Sequence, residues 1–188
     1  FVQNIIDQFD RLFYYSSAIG GTWKNSYWLG VPIQKNPMDL MVYQELIFML
    51  KPDIIIETGT KVGGSALFFA TILDAVGKGE IITIDINNAD KLPQHNRITY
   101  LTGSSTDENI VNFINPRVKD KVIMVILDSD HRKEHVLKEL EIYSKFVSRG
   151  SYLIVEDTIV TGFPVIGMFE DGPLEAIMWF LKENKTLL

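Results

Sequence analysis

Four short runs, III, IITI, VIMVIL and YLIV, are apolar without alternating with polar residues. A strand with one wet face alternates; a strand covered on both faces does not, and such strands belong to parallel sheets flanked by helices. The segments between the runs carry helix-like patterns. Asp53–Thr58 reads as a strand, Gly63–Val76 as a helix, and Glu80–Ile86 and Ile98–Thr102 as two further strands. Lys121–Leu127 is a fourth strand and Ser151–Val155 a fifth. Between them His131–Val147 sets Val136, Leu140, Tyr143 and Val147 on one helical face. The pattern predicts an α/β fold, a doubly wound and mostly parallel sheet with helices on both faces.

Acidic residues close these strands: Glu57 after III, Asp128 in VILDSDH, and Glu156-Asp157 in LIVEDT. Parallel strands joined by right-handed crossovers end at one sheet edge, where open α/β sheets bind ligands. Carboxylates gathered there repel one another unless a cation or hydrogen-bond donors compensate them. A hard divalent ion such as magnesium is the simplest compensation, because it takes a few carboxylates and keeps positions for water and substrate. Neighbouring side chains on a strand point to opposite faces, so Glu156 and Asp157 can meet one ion only where the strand has begun to turn.

The 188 residues suit a single domain. Residues 1–37 form a helix (Ile5 to Tyr15) and an irregular, aromatic-rich segment, 38–158 a binding core, and 159–188 a loop and a helix over Pro173–Lys182. The segment GGTWKNSYWLGVPIQKNP suits either a cover over a pocket or a surface extension that packs its two tryptophans on the core. Pro37 opens a helix whose apolar face is Met41, Leu46, Ile47 and Leu50. A net charge of −6 argues against a nucleic-acid partner, and the absence of cysteine excludes disulfides and thiolate metal sites. No apolar run would span a bilayer, and the first residues lack the pattern of a signal peptide, so a cytoplasmic protein is expected. Phe163, Val165, Ile166, Met168 and Phe169 form an apolar loop suited to a lid or to an interface in a homo-oligomer.

The turn ETGTKVGGS lies between a strand and a helix. Its glycines allow close backbone approach, and the helix start offers free N–H groups. It has neither the GxGxxG nor the GxxxxGK[ST] spacing, which disfavours dinucleotides and nucleoside triphosphates. A ligand with a ribose, an adenine and a cationic tail fits better, since Glu57 puts negative charge where a phosphate would sit. Asp85 stands where an acid accepts hydrogen bonds from ribose hydroxyls, or else caps its own turn. Gly103-Ser104-Ser105 is placed beside an adenine ring or is a plain turn. Asp130 is placed to cap the helix that follows. His131, in the first turn of that helix, is either a surface histidine or a base for a substrate hydroxyl. His135, one turn on, faces solvent or the packing edge rather than completing a zinc pair.

From about Trp28 onward, the blocks ETG…GGS, LDSDH, VEDT and DGPLEAI occur in one order. As a set they resemble the cephalosporin hydroxylase family, which has the S-adenosylmethionine-dependent methyltransferase fold. The chain is also similar, around these blocks, to metal-dependent macrolide sugar O-methyltransferases. The resemblance implies that Glu57, Gly59, Gly63 and Ser65 hold the methionine part of S-adenosylmethionine and that Asp85 binds its ribose; the place of Ser104 after the third strand makes it a further candidate cofactor contact. It implies Mg2+ on Asp128, Glu156 and Asp157, with His131 as base, and a sugar or small-molecule hydroxyl as acceptor. That fold normally ends with two more strands, which the sequence after 182 does not offer. Two other readings stay open: a cofactor-binding subunit of a hydroxylase complex without chemistry of its own, and a dinucleotide-dependent oxidoreductase.

Overall fold

The computed structural model describes residues 1–15, 21–87, 89–165 and 170–184. Helix α1 (Val2–Tyr15) leads into a 3-10 turn (Thr22–Asn25) and a two-residue antiparallel hairpin, β1 (Tyr27–Trp28) and β2 (Val31–Pro32). Then follow α2 (Pro37–Leu50), β3 (Ile54–Thr58), α3 (Gly64–Val76), β4 (Glu80–Asp85) and β5 (Ile98–Thr102). The chain continues through α4 (Glu108–Ile114), β6 (Ile123–Leu127), α5 (Lys133–Tyr143), β7 (Leu153–Val155) and α6 (Pro173–Glu183). Strands β3 to β7 form one parallel sheet in the order β5-β4-β3-β6-β7. The chain winds outward from β3 through β4 to β5, then crosses back to β6 on the other side. Between β3 and β6 the winding therefore reverses, which opens a crevice at their carboxyl ends.

The period of two in the strands divides apolar runs that look uniform in sequence. Ile54, Ile56, Ile82, Ile84, Val125 and Leu127 pack against α4, α5 and α6. Their neighbours Ile55, Ile81, Met124 and Ile126 pack against α2 and α3. Both faces are dry, as unalternating runs require. Helix α2 starts where the Asn36 side chain accepts from the Met38 N–H at 3.0 Å with Pro37 in the first turn, and it stops at Lys51 in a left-handed conformation. Its buried residues are Tyr43 and Ile47, while Met41, expected on the core face, is 62% exposed.

The remaining departures lie at element ends. Helix α5 begins at Lys133, so His131 precedes it, and Asp130 does not cap it. The Asp130 carboxylate instead accepts from the Arg132 N–H at 3.0 Å and from the Arg132 guanidinium, an Asx-type turn that holds Arg132 extended and delays the helix. The same helix ends at Tyr143 rather than Val147. Asp53 stands just before β3, where its carboxylate accepts from the Val122 N–H at 2.8 Å. No helix among the described residues is long and apolar enough to cross a membrane.

Gly59, which follows β3, sits at φ 95°, and a Cβ there would lie 1.9 Å from the Asp128 carbonyl oxygen. Its missing side chain is what lets the first turn dock on the end of β6. Gly150 has a similar φ of 82° but open space around it. Gly150→Ala should therefore cost only the left-handed strain, about 1–2 kcal/mol. Gly59→Ala should cost distinctly more, and urea unfolding midpoints of the two variants check the difference.

Candidate active site

The crevice widens into a cavity of about 1310 Å³ along the carboxyl edge, from Ser104 after β5 to Asp157 after β7. At the β4 end, Asp85 is oriented by two backbone donors: Lys61 N–H at 2.8 Å and Asn87 N–H at 3.0 Å. Gly59, Ser65, Asp85 and Ser104 line the cavity together. Glu57 and Gly63 do not. Gly63 is the left-handed residue before α3, and a Cβ on it would meet the Pro93 ring at 2.7 Å. The tight approaches of this turn are thus to the protein's own chain.

Glu57 is fully buried on the α3 side of β3. Its Oε2 accepts from the Thr83 hydroxyl at 2.6 Å, Thr83 in turn lies 2.7 Å from the Thr60 hydroxyl, and Oε1 has no hydrogen-bond partner. Burial pushes its pKa up to about 7, against the opposing pull of Lys35 and of the Ser65 and Thr83 hydroxyls.

At the other end, β6 delivers Asp128, whose N–H still bonds the Thr58 carbonyl at 3.0 Å, so its side chain is held at the strand's limit. Strand β7 delivers Glu156 and Asp157. Asp157 has φ 55°, and this left-handed turn supplies the break in alternation that two adjacent carboxylates need to face one crevice. His131 Nε2 lies 3.1 Å from Asp157 Oδ2, and the Tyr14 hydroxyl of α1 donates to Asp157 Oδ1. One donor atom each from Asp128, His131 and Asp157 fall within 4.8 Å of one another. A set of two carboxylates and an imidazole fits a divalent ion such as magnesium, manganese or zinc on its donor chemistry.

Lys35 is the residue that sequence reading missed. Its side chain is 3% exposed, and its Nζ donates to Asp128 Oδ2 at 2.7 Å and to Glu156 Oε1 at 2.9 Å. Tyr43 of α2 also donates to Glu156 Oε1. Burial pushes Glu156 upward, but Lys35 and Tyr43 outweigh it and hold the carboxyl below its ordinary range. Asp128 ends above its ordinary value because burial exceeds the help of Lys35, and burial alone lifts Asp157 to about 6. Nothing in GVPIQKNP marks Lys35 as buried; only the docking of β2 against α3 carries it inward. There a Cβ on Gly64 would lie 2.1 Å from the Pro32 carbonyl oxygen.

The irregular N-terminal segment divides between its two expected roles. Trp28 packs edge-on against Phe68 and donates to the Thr71 hydroxyl at 3.1 Å, anchoring the segment on α3. Trp23 lines the cavity and faces Tyr14. His135 lies in the cavity wall rather than facing solvent, 3.2 Å from the Ser105 hydroxyl and 3.4 Å from Glu139. It is thus engaged away from His131, and among the described residues the two histidines fall in no common metal-ligand group. In the loop after β7, Val165 is buried and Phe163 half-exposed, while Ile166, Met168 and Phe169 lie outside the described residues.

A parallel sheet with this strand order and an acid-lined crevice at its switch point has the Rossmann-like fold of a methyltransferase. The chain belongs to the rhamnosyl O-methyltransferase/CmcI family, whose model matches residues 21–187. A rhamnosyl O-methyltransferase of Mycobacterium bovis is 36% identical over 171 residues, covering 87% of this chain and 68% of that protein. A structure of CmcI with Mg and SAM matches at a TM-score of 0.56 with 22% identity, covering 72% of this chain and 59% of the other. MycE, a methyltransferase from the mycinamycin biosynthetic pathway solved with Mg and SAH, matches at 0.56 with 21% identity, covering 78% and 41%.

The position of Glu57 has a pH consequence. Its folded pKa of about 7 lies above the ordinary 4.5, so the folded state holds this proton more tightly than the unfolded chain does. Stability then falls as pH rises from about 4.5 to about 7 and is flat beyond. Glu57→Gln should remove that fall, gaining up to about 3 kcal/mol over wild type at pH 8 and little at pH 4. Urea melts at the two pH values check it.

Proposed function

We propose that the protein transfers the methyl group of S-adenosylmethionine to a hydroxyl of a sugar, with a divalent ion, Mg2+, at the acidic end of the cavity. The observation that carries this reading is the convergence of Asp128, His131 and Asp157 at one end of a cavity whose other end presents Asp85 and Ser104. The family and the rhamnosyl O-methyltransferase relative support a sugar acceptor, and a rhamnosyl residue is the first to try.

In this reading Asp85 accepts from the ribose hydroxyls, the turn from Gly59 to Ser65 borders the methionine portion, and Ser104 lies beside the adenine. Asp128, Glu156 and Asp157 would hold the ion. When bound, such an ion lowers the pKa of a hydroxyl and stabilises the oxygen anion. His131 would take the hydroxyl proton at Nε2 once that nitrogen, now 3.1 Å from Asp157 Oδ2, turns from the carboxylate to the acceptor. The acceptor's O–H bond breaks, an O–CH3 bond forms, and the sulfur leaves with the electron pair of its methyl bond as a neutral thioether. Holding the two reactants in line supplies much of the rate, on the order of 7–11 kcal/mol in well-oriented cases. Trp23 and Tyr14 cover the acidic end and limit water there.

Asp128→Ala and Asp157→Ala should each abolish methylation of a rhamnosyl acceptor while leaving S-adenosylmethionine affinity within a few-fold of wild type. His131→Ala should lower kcat by about 10²–10⁴ with little change in cofactor affinity. Turnover assays paired with calorimetry test all of these. Metal-dependent turnover retained in both aspartate variants would overturn the ion assignment, and an unchanged kcat in His131→Ala would remove its role as base.

A further inference from the structure

The charge at the acidic end is already balanced in part from within. Lys35 Nζ stands between Asp128 Oδ2 and Glu156 Oε1 at ordinary ion-pair distances, and both contacts are shielded from solvent. Among the described residues, the donor group compact enough for an ion is Asp128, His131 and Asp157, without Glu156. Yet the proposed reaction needs His131 free to take a proton and Glu156 turned toward the ion. The second condition holds only if the Lys35 ammonium gives up its place on Glu156.

We infer that Lys35 is the resident cation of the metal-free site, and that a divalent ion and the Lys35 ammonium alternate on the Asp128–Glu156 pair. This rests on the metal-dependent reading above. Lys35 prevents two partly buried carboxylates from facing each other uncompensated while no ion is bound, a state that like-charge repulsion makes costly. On metal entry the ammonium leaves Asp128 and Glu156. The exchange makes the metal weaker-binding than its carboxylates alone would allow, because each binding event breaks two short ion pairs. It also ties metal loading to the 21–37 segment, since Lys35 lies on the stretch that Trp28 anchors and Trp23 continues over the cavity.

Manganese binding measured by calorimetry and electron paramagnetic resonance, on wild type, Lys35→Met and Lys35→Gln, tests the exchange. The variants should bind Mn2+ at least tenfold more tightly than wild type. Without metal their Tm should be lower, and saturating Mn2+ should raise it more than it raises the wild-type Tm. Equal or weaker Mn2+ binding in the variants, with wild type binding normally, overturns the exchange and leaves the metal-dependent reading intact. Absence of Mn2+ binding in every chain, with S-adenosylmethionine still bound, overturns both.

A measurement on wild type alone keeps the inference testable should the variants not fold. In 15N spectra of the lysine ammonium groups, Lys35 should give a slowly exchanging signal without metal. Mg2+ should shift or abolish that signal. A signal unchanged at saturating Mg2+ overturns the inference.

Discussion

Carboxylates brought to one edge of a parallel sheet are held there by the backbone, whatever they do to one another. Asp128 cannot retreat, because its N–H is the last rung of the β3–β6 ladder, and Asp157 is fixed by a left-handed turn. The fold therefore depends on what offsets their repulsion, and the offset is asymmetric. Lys35 and Tyr43 satisfy Glu156 and hold it ionised, whereas among the described residues no lysine or arginine pairs with Asp157, which burial raises to about 6. The cluster thus has a buried ammonium at its inner end, and an imidazole and the Tyr14 hydroxyl at its outer end, which opens on the cavity.

Much of this was legible in the sequence because it depends on local pattern. Unalternating runs gave strands buried on both faces, and terminal acids fell at one edge because parallel strands end together. The need for a turn between Glu156 and Asp157 followed from strand geometry, and φ 55° at Asp157 meets it. Features that depend on long-range docking were not legible. Lys35 is buried because a hairpin it follows packs on α3, and no neighbour of Lys35 in sequence signals that. Asp130 suits a helix cap by type and position; Arg132, two residues on, offers a stronger, charged partner, and the helix starts later.

The glycine-rich turn shows why a motif can be right for a reason other than the obvious one. Its glycines suggest room for a ligand, yet Gly59 meets Asp128, Gly63 meets Pro93 and Gly64 meets Pro32. They bring three elements into contact: the end of β6, the loop before β5 and the hairpin that leads to Lys35. Glu57, beneath this turn, does not reach the cavity, so any influence on a cationic ligand acts through its charge and the Thr83–Thr60 hydroxyl pair. Because Glu57 titrates near neutral pH, that influence is itself variable.

Size carries the last step. Pockets for one small ligand occupy about 300–1,000 Å³, and this cavity, at about 1310 Å³, exceeds that range. The excess suits two ligands lying end to end along the sheet edge. Their chemistry is distinguished by the walls: exposed acceptors and hydroxyls at Asp85 and Ser104, a charged cluster under aromatic side chains at Asp157. A methyl donor laid from the β5 side would present its reacting end near Asp128, the one acid shared by the ion cluster and the Lys35 pair. On the proposed reading the acceptor lies beside Asp157, under Tyr14 and Trp23, so α1 and the segment that follows would border it. Helix α1 buries no residue of its own and is tied down by the Tyr14 hydroxyl on Asp157 and by the Arg11 side chain, which donates to the Pro164 carbonyl. The sheet thus sets the acids at one edge, and α1 with the segment that follows lines the end of the cavity where they gather.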